Sequence, residues 1–151
     1  MIGKISIALI LASVAFVIGV RMIVQRAPQP DRIGVAKDRL SPCPESPNCV
    51  SSFEGTNPFA YHADRSSARA ALLDILKSWP RTEVVQSTEG YIHVVFRSRM
   101  FSFIDDGEFY FPAEDPVVHF RFAARTGRSD MGANAARGED IRAKLAETLK
   151  E

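Results

Sequence analysis

The feature of the sequence that most constrains the fold is an alternation of apolar and polar residues that begins at Tyr91. Side chains of a β-strand point alternately to its two faces, so residues two positions apart share a face. Turn signals at residues 89–90, 105–107 and 112–116 divide the alternating region. The pattern predicts an antiparallel meander of about four strands. Its apolar face carries Ile92, Val94, Phe96, Phe109, Phe111, Val118, Phe120 and Phe122.

Two helical patterns flank the meander. From Ser66 to Trp79, apolar residues recur at steps of three and four, and Asp64 or Ser66 is placed to cap the start. A second pattern runs from about Ala135 and places Ile141, Leu145 and Leu149 on one face. Two helices on one face of an antiparallel sheet make a two-layer α+β domain, which is the fold class that we predict.

An apolar segment precedes this domain. Residues 5–20 carry no charge, and the apolar run continues past Arg21 to Val24. At roughly 1.5 Å per residue, about 20 residues cross a hydrocarbon core of about 30 Å, so we expect an N-terminal transmembrane helix acting as a signal anchor. A cleaved signal peptide is the alternative, because Lys4 before an apolar run is also how a secretory signal begins.

The chain therefore divides into three predicted parts. Residues 1–24 form the membrane anchor or signal segment, residues 25–39 form a linker that contains two prolines, and residues 40–151 form a single α+β domain. A hydrophobic content of 46% with 25% charged residues is typical of a folded protein. A net charge of +1 indicates no general attraction to nucleic acid, and we predict no nucleic-acid partner.

The two cysteines of the chain lie close together in the segment CPESPNCVSS, residues 43–52. We expect Cys43 and Cys49 to form a disulfide in an oxidising compartment, closing a loop that presents Glu45, Ser46 and Asn48; a packed, reduced pair is the alternative. Zinc usually takes four ligands, and this spacing with three histidines in the chain is a weak match. No metal or cofactor is predicted.

The second face of the meander is polar and basic. Its residues are His93, Arg97, Arg99, Glu108, Tyr110, His119, Arg121 and Arg125. Such a face is either solvated, with charges paired across the strands, or a site for a carboxylate, a phosphate or an acidic partner, because the planar guanidinium group suits these anions. The segment RTGRSDMGAN, residues 125–134, adds Ser129, Asp130 and Asn134, which either cap the last helix or belong to a ligand pocket.

The segments CPESPNCVSS, FRSRMFSFIDDGEFYF and AARTGRSDMGAN together resemble the domain of unknown function 1499 family, from about Leu40 to the C-terminus. The resemblance implies a bacterial protein, of a family that often has an N-terminal hydrophobic segment, or a plastid protein of a plant or alga, and it implies no activity. This chain has Ala124 where a serine is usual in the family. The recurring positions of the family fall on Cys43, Pro44, Ser46, Pro47, Asn48, Cys49, Val50, Ser51, Arg97, Ser98, Arg99, Asp105, Asp106, Glu108, Arg125, Gly127, Ser129, Asp130, Gly132 and Asn134.

We therefore predict a module tethered to the bacterial inner membrane by a single pass, with its domain on the periplasmic side. A cleaved signal and a periplasmic protein are the alternative. The module binds an anionic small molecule or a protein partner through the basic face and the loop of Cys43 and Cys49. An enzyme that acts on a small anionic substrate, with His93 or His119 as acid or base, is the competing hypothesis. The sequence contains no recognisable nucleophile motif or metal set, which favours the binding module.

Overall fold

The structure, a computed structural model, describes residues 2–150, apart from the side chains of residues 2–5 and 8. Met1 and Glu151, at the outer ends of the first and last predicted parts, lie outside this range. The elements are α1 (Ile2–Val24), β1 (Val35–Ala36), β2 (Arg39–Leu40), β3 (Cys49–Ser51), β4 (Phe59–Ala60), α2 (Arg65–Ser78), β5 (Thr82–Ser87), β6 (Tyr91–Arg97), β7 (Ile104–Tyr110), β8 (Val117–Ala124) and α3 (Ala133–Thr148).

The domain is α+β, as predicted, and its main sheet has six antiparallel strands. The predicted four-strand meander is β5 to β8, and the sheet continues from β8 to β3 in the order β3-β8-β7-β6-β5. Strand β4 also pairs with β8. Strands β3 and β4 were not predicted, because three and two residues are too few to show an alternating pattern.

The predicted turn at residues 105–107 is wrong, because these residues lie inside β7. The chain turns earlier, at residues 98–103, where Ser98 N donates to Phe103 O over 2.9 Å. Gly107 instead allows the side chains of Phe96 and Val94 to pack closely against β7. A Cβ atom at this position would lie 2.5 Å from Phe96 Cε2 and 2.9 Å from Val94 Cγ2.

The apolar face of the sheet packs against α2 and α3 and forms the core. All eight apolar strand residues predicted for this face are buried there. The capping role predicted for Asp64 is confirmed, since its Oδ1 accepts from Ser67 N over 3.0 Å. Helix α2 contributes Ala68, Leu72, Ile75 and Leu76, and α3 contributes Ile141 and Leu145.

Helix α1 is present where the sequence predicts a helix. Within residues 2–150, however, no helix combines the length and the apolar character needed to cross a membrane. Among the described side chains of α1, nine large apolar ones are 50% or more exposed. They are Ile7, Leu9, Ile10, Leu11, Val14, Phe16, Ile18, Met22 and Ile23.

The segment predicted to be a linker lies against the sheet. Gly34 N donates to Glu108 Oε1 over 2.7 Å, and Tyr110 O–H donates to Asp38 Oδ1 over 3.2 Å. The short hairpin of β1 and β2 contacts β7 and β8. Residues 34–40 therefore help to cover the second face of the sheet.

Candidate functional site

The second face of the sheet holds a row of charged residues that are almost completely buried. The strand register places His93, Glu108 and Arg121 side by side on β6, β7 and β8. Asp106 lies two residues before Glu108 and therefore on the same face. The sequence predicted His93, Glu108 and Arg121 on this face, but not Asp106, and it did not indicate that the face is covered.

Asp106 is the centre of the first ion-pair cluster. Its two carboxylate oxygens accept hydrogen bonds from Nε and Nη2 of Arg125, each over 2.7 Å, and Oδ1 lies 2.9 Å from His93 Nε2. Burial alone would raise the pKa of Asp106, but the hydrogen bonds from Arg125 and His93 outweigh it and lower this pKa. The same contact raises the pKa of Arg125.

Glu108 is the centre of the second cluster. Its carboxylate accepts from Arg121 Nη1 over 3.0 Å and from Tyr91 O–H over 2.8 Å, in addition to Gly34 N. Burial, followed by the charge of Glu108, raises the pKa of Tyr91. The phenol is therefore a hydrogen-bond donor at neutral pH.

Arg121 has a donor that is not used. Its side chain is 7% exposed, and its Nε is buried without a hydrogen-bond partner among the described residues. A buried N–H group without a partner costs free energy, and such groups in proteins call for an explanation such as a bound ligand or ion. Arg121 therefore keeps an N–H donor that its pair with Glu108 does not use.

A cavity of about 570 Å³ lies beside Arg121 and Arg125. We call it the arginine cavity. Its lining residues are Pro28, Gln29, Pro30, Asp31, Arg32, Ser41, Pro42, Cys43, Pro44, Arg121, Ala123, Ala124 and Arg125. Strand β8 and the arginine after it form the floor, and the N-terminal segment and the cysteine loop form the walls.

The cysteine loop is closed by the predicted disulfide. The sulfur atoms of Cys43 and Cys49 are bonded, and β3 pairs Cys49 with Ala123 of β8. Asn48 is not presented to solvent as predicted, because it is 4% exposed and its Nδ2 donates to Gly127 O over 2.6 Å. Asn48 O also accepts from Asn134 Nδ2 over 3.2 Å. The loop is thus fastened to both β8 and the start of α3.

The other predicted members of the basic face lie apart from the arginine cavity. Arg97 pairs with Glu83 over 3.0 Å, and Arg99 is exposed in the turn after β6. The four arginines therefore do not form one open patch. Only Arg121 and Arg125 line the same cavity, and both are paired with buried carboxylates.

His119 lies near the opposite end of the same face, beside Tyr110. Its Nδ1 is 3.1 Å from Ser52 Oγ, and its ring stacks on Phe53 with centroids 4.0 Å apart. Burial lowers the pKa of His119. Ser52 Oγ already accepts from Phe120 N over 2.9 Å, so this hydroxyl belongs to the packing of β8.

The loop of residues 125–134 lines a second, smaller cavity of about 210 Å³, which includes Asp105, Ser129 and Asp130. Asp130 caps α3, accepting from Gly132 N and Asn134 N over 3.0 and 2.8 Å. Burial raises the pKa of Asp105, although Arg137 lies 2.9 Å away. Ser129 and Asp130 therefore lie in the same cavity as Asp105, and Arg121 does not line it.

The three quoted sequence segments thus meet around the end of β8. Residues 39–145 match the family described as a protein of unknown function, DUF1499. The chain belongs to the DUF1499 family. No curated protein matches it. The DUF1499 match covers the floor of the arginine cavity and the disulfide loop, whereas the wall at residues 28–32 lies outside it.

Several residues of the site in this DUF1499 chain were not predicted. Asp106 was assigned to a turn, and Arg32 was assigned to a linker. Tyr91 was recognised only as the start of a strand. Had the DDG segment been interpreted as a strand, the alternation of side chains along β7 would have placed Asp106 on the same face as Arg121 and Arg125. No sequence pattern predicts that Arg32 lies at the arginine cavity, because its position depends on how the N-terminal segment folds back onto β8.

Proposed function

We propose that this DUF1499 protein is a module held at the bacterial inner membrane, with its domain on the periplasmic side, and that it binds a small anionic ligand in the arginine cavity. The observation that carries the proposal is that three guanidinium groups, those of Arg32, Arg121 and Arg125, line one cavity.

The chemistry of the cavity lining supports an anion. Three guanidinium groups and one carboxylate line it. Arg121 and Arg125 are each paired with a carboxylate, so the ligand is recognised by their remaining N–H donors and by Arg32 rather than by a large excess of charge. A carboxylate or phosphate oxygen is the acceptor that fits a planar array of such donors.

The disulfide supports the location. Cys43 lines the arginine cavity and is bonded to Cys49. Disulfides of this kind persist in oxidising compartments such as the bacterial periplasm and are rare in the cytosol.

The exposed apolar surface of α1 supports attachment to a membrane. An apolar surface of this extent on a helix is covered in the cell by lipid or by another protein, and we propose lipid. Full-length protein should stay with the membrane fraction after alkaline carbonate washing. Release of a shortened chain would instead indicate a cleaved signal.

Titration with inorganic phosphate tests the anion site. The full-length protein in a neutral detergent should bind phosphate, and Arg32→Gln should weaken binding about tenfold, because it removes one charge-assisted contact. Arg26→Gln is the matched control, since Arg26 is exposed and does not line the cavity. Equal weakening in both variants, or no binding by the unmodified protein, would contradict the proposal.

No observation favours the enzyme hypothesis over the binding module. His93 is 1% exposed and faces Asp106, and the ring of His119 is stacked on Phe53. Neither imidazole lines the arginine cavity.

A further inference from the structure

We infer that the anion taken up by the arginine cavity is the phosphate of an anionic lipid headgroup, drawn from the membrane that holds α1. This inference rests on the proposed function and names its ligand. The shared chemistry is a phosphate with an organic substituent; the membrane lipid is the source to which we commit, and soluble phosphates are the alternative that the experiment separates.

The distance between α1 and the cavity supports a lipid source. Helix α1 ends at Val24, and the cavity wall begins at Pro28. The connection is compact, since Ala27 N donates to Val24 O over 3.0 Å. Even a fully extended chain of four residues spans only about 14 Å. Headgroups occupy the outer layer of a bilayer, so a helix end held at that level keeps the cavity wall among or next to the headgroups.

The charges around this connection fit an anionic surface. Arg21 lies in the last turn of α1, and Arg26 follows it. Basic side chains directly beyond an apolar helix are attracted to anionic lipids. Arg32 continues this series into the cavity, where it joins Arg121 and Arg125. These basic side chains lead a lipid phosphate from the membrane surface to the floor of the cavity.

The size and the walls of the cavity fit a headgroup better than a bare ion. A volume of about 570 Å³ is within the range of small-molecule sites, and inorganic phosphate alone would leave most of it unfilled. Four prolines of the walls and two alanines of the floor offer apolar contact to a glycerol unit and the first carbons of acyl chains. These residues are Pro28, Pro30, Pro42 and Pro44 of the walls, and Ala123 and Ala124 of the floor.

Lipid nanodiscs test the inference with the full-length protein. We expect the melting temperature to be higher in discs that contain phosphatidylglycerol than in discs of phosphatidylcholine alone, because a ligand that binds only the folded state stabilises it. Arg32→Gln should lose most of this increase. Arg128→Gln should keep most of it, because it removes the same charge from an exposed residue that does not line the cavity. Native mass spectrometry should detect bound phosphatidylglycerol on the unmodified protein and on Arg128→Gln.

The outcomes separate the inference from the proposed function. If phosphate or soluble glycerol phosphate binds in detergent but phosphatidylglycerol gives no increase in the nanodiscs, the anion site stands and the lipid source is wrong. If both variants lose the increase equally, the effect is general attraction to a charged surface, and the inference is wrong. If neither soluble phosphates nor the lipid bind, the proposed function fails together with it.

Discussion

At the scale of single residues, Asp105 and Asp106 are neighbours in sequence that face opposite sides of β7. Asp106 belongs to the buried charged face, where hydrogen bonds from Arg125 and His93 lower its pKa. Asp105 lies towards α3, where burial raises its pKa despite Arg137. The difference follows from the alternation of side chains along a strand, and it gives the two carboxyl groups different roles in stability.

Replacement of these two residues by asparagine should therefore have unequal effects. Asp106→Asn removes the charge that faces the buried guanidinium of Arg125, and breaking a buried pair costs about 3 to 5 kcal/mol. Asp105→Asn is the matched control, and we expect a loss of about 1 kcal/mol, since its charged form is less well stabilised. Denaturant unfolding at neutral pH measures both. Equal losses would contradict the assignment of Asp106 to the central ion pair.

The pKa of Asp106 also predicts the direction of the pH dependence. A carboxyl group whose pKa is lower in the folded state contributes stability above its unfolded pKa of about 3.9, and the contribution is lost as the pH falls through the folded pKa. The free energy of unfolding of the unmodified protein should thus fall as the pH decreases below about 4. Asp106→Asn should show a smaller decrease over the same range.

At the scale of elements, helices and strands with a long regular pattern could be predicted from the sequence. Short strands, and a strand whose glycine is required by tertiary packing, could not. Strands β6 and β8 and helix α2 each contain several apolar residues at a constant period, so their type and buried face followed from the sequence. The DDG segment misled the prediction because glycine also marks turns. In β7, Gly107 is needed because Phe96 and Val94 approach the strand closely, which is a tertiary contact.

Gly107→Ala should destabilise the domain. The added methyl group overlaps Phe96 Cε2 and Val94 Cγ2, and overpacking of a core costs about 1 to 3 kcal/mol. Gly90→Ala is the control, because the nearest atom to its added methyl group is Arg65 Nη2 at 3.2 Å, at the end of a flexible side chain. Thermal unfolding of both variants tests the expectation, and an unchanged melting temperature for Gly107→Ala would refute it.

The disulfide affects both the stability of the cysteine loop and the wall of the arginine cavity. A bond that closes so short a loop stabilises the folded state by about 2 kcal/mol in the chain-entropy treatment. Replacing Cys43 and Cys49 by serine should lower the free energy of unfolding by this amount and also weaken phosphate binding, because Cys43 lines the arginine cavity. Full retention of phosphate affinity in this variant would mean that the loop is not part of the binding wall.

At the scale of the whole molecule, the site depends on contacts that no local pattern encodes. The basic residues Arg121 and Arg125 were predicted from strand parity, and their importance was inferred from their chemistry. Their burial results from residues 28–34 and the hairpin of β1 and β2, which lie over the sheet. The sequence showed this segment only as proline-containing and charged, since folding back onto a distant strand leaves no periodic signal.

The central claim is that the arginine cavity binds an anion beside the guanidinium group of Arg121. Nuclear magnetic resonance of arginine Nε–H groups, recorded on the full-length protein in neutral detergent during titration with glycerol phosphate, tests it most directly. Arg142 is the control, because its Nε donates to Glu139 Oε2 over 3.3 Å and its side chain does not line the arginine cavity. We predict a saturable shift of the Arg121 signal and an unchanged Arg142 signal. An Arg121 signal that does not move, or that moves only in step with Arg142, would contradict the account.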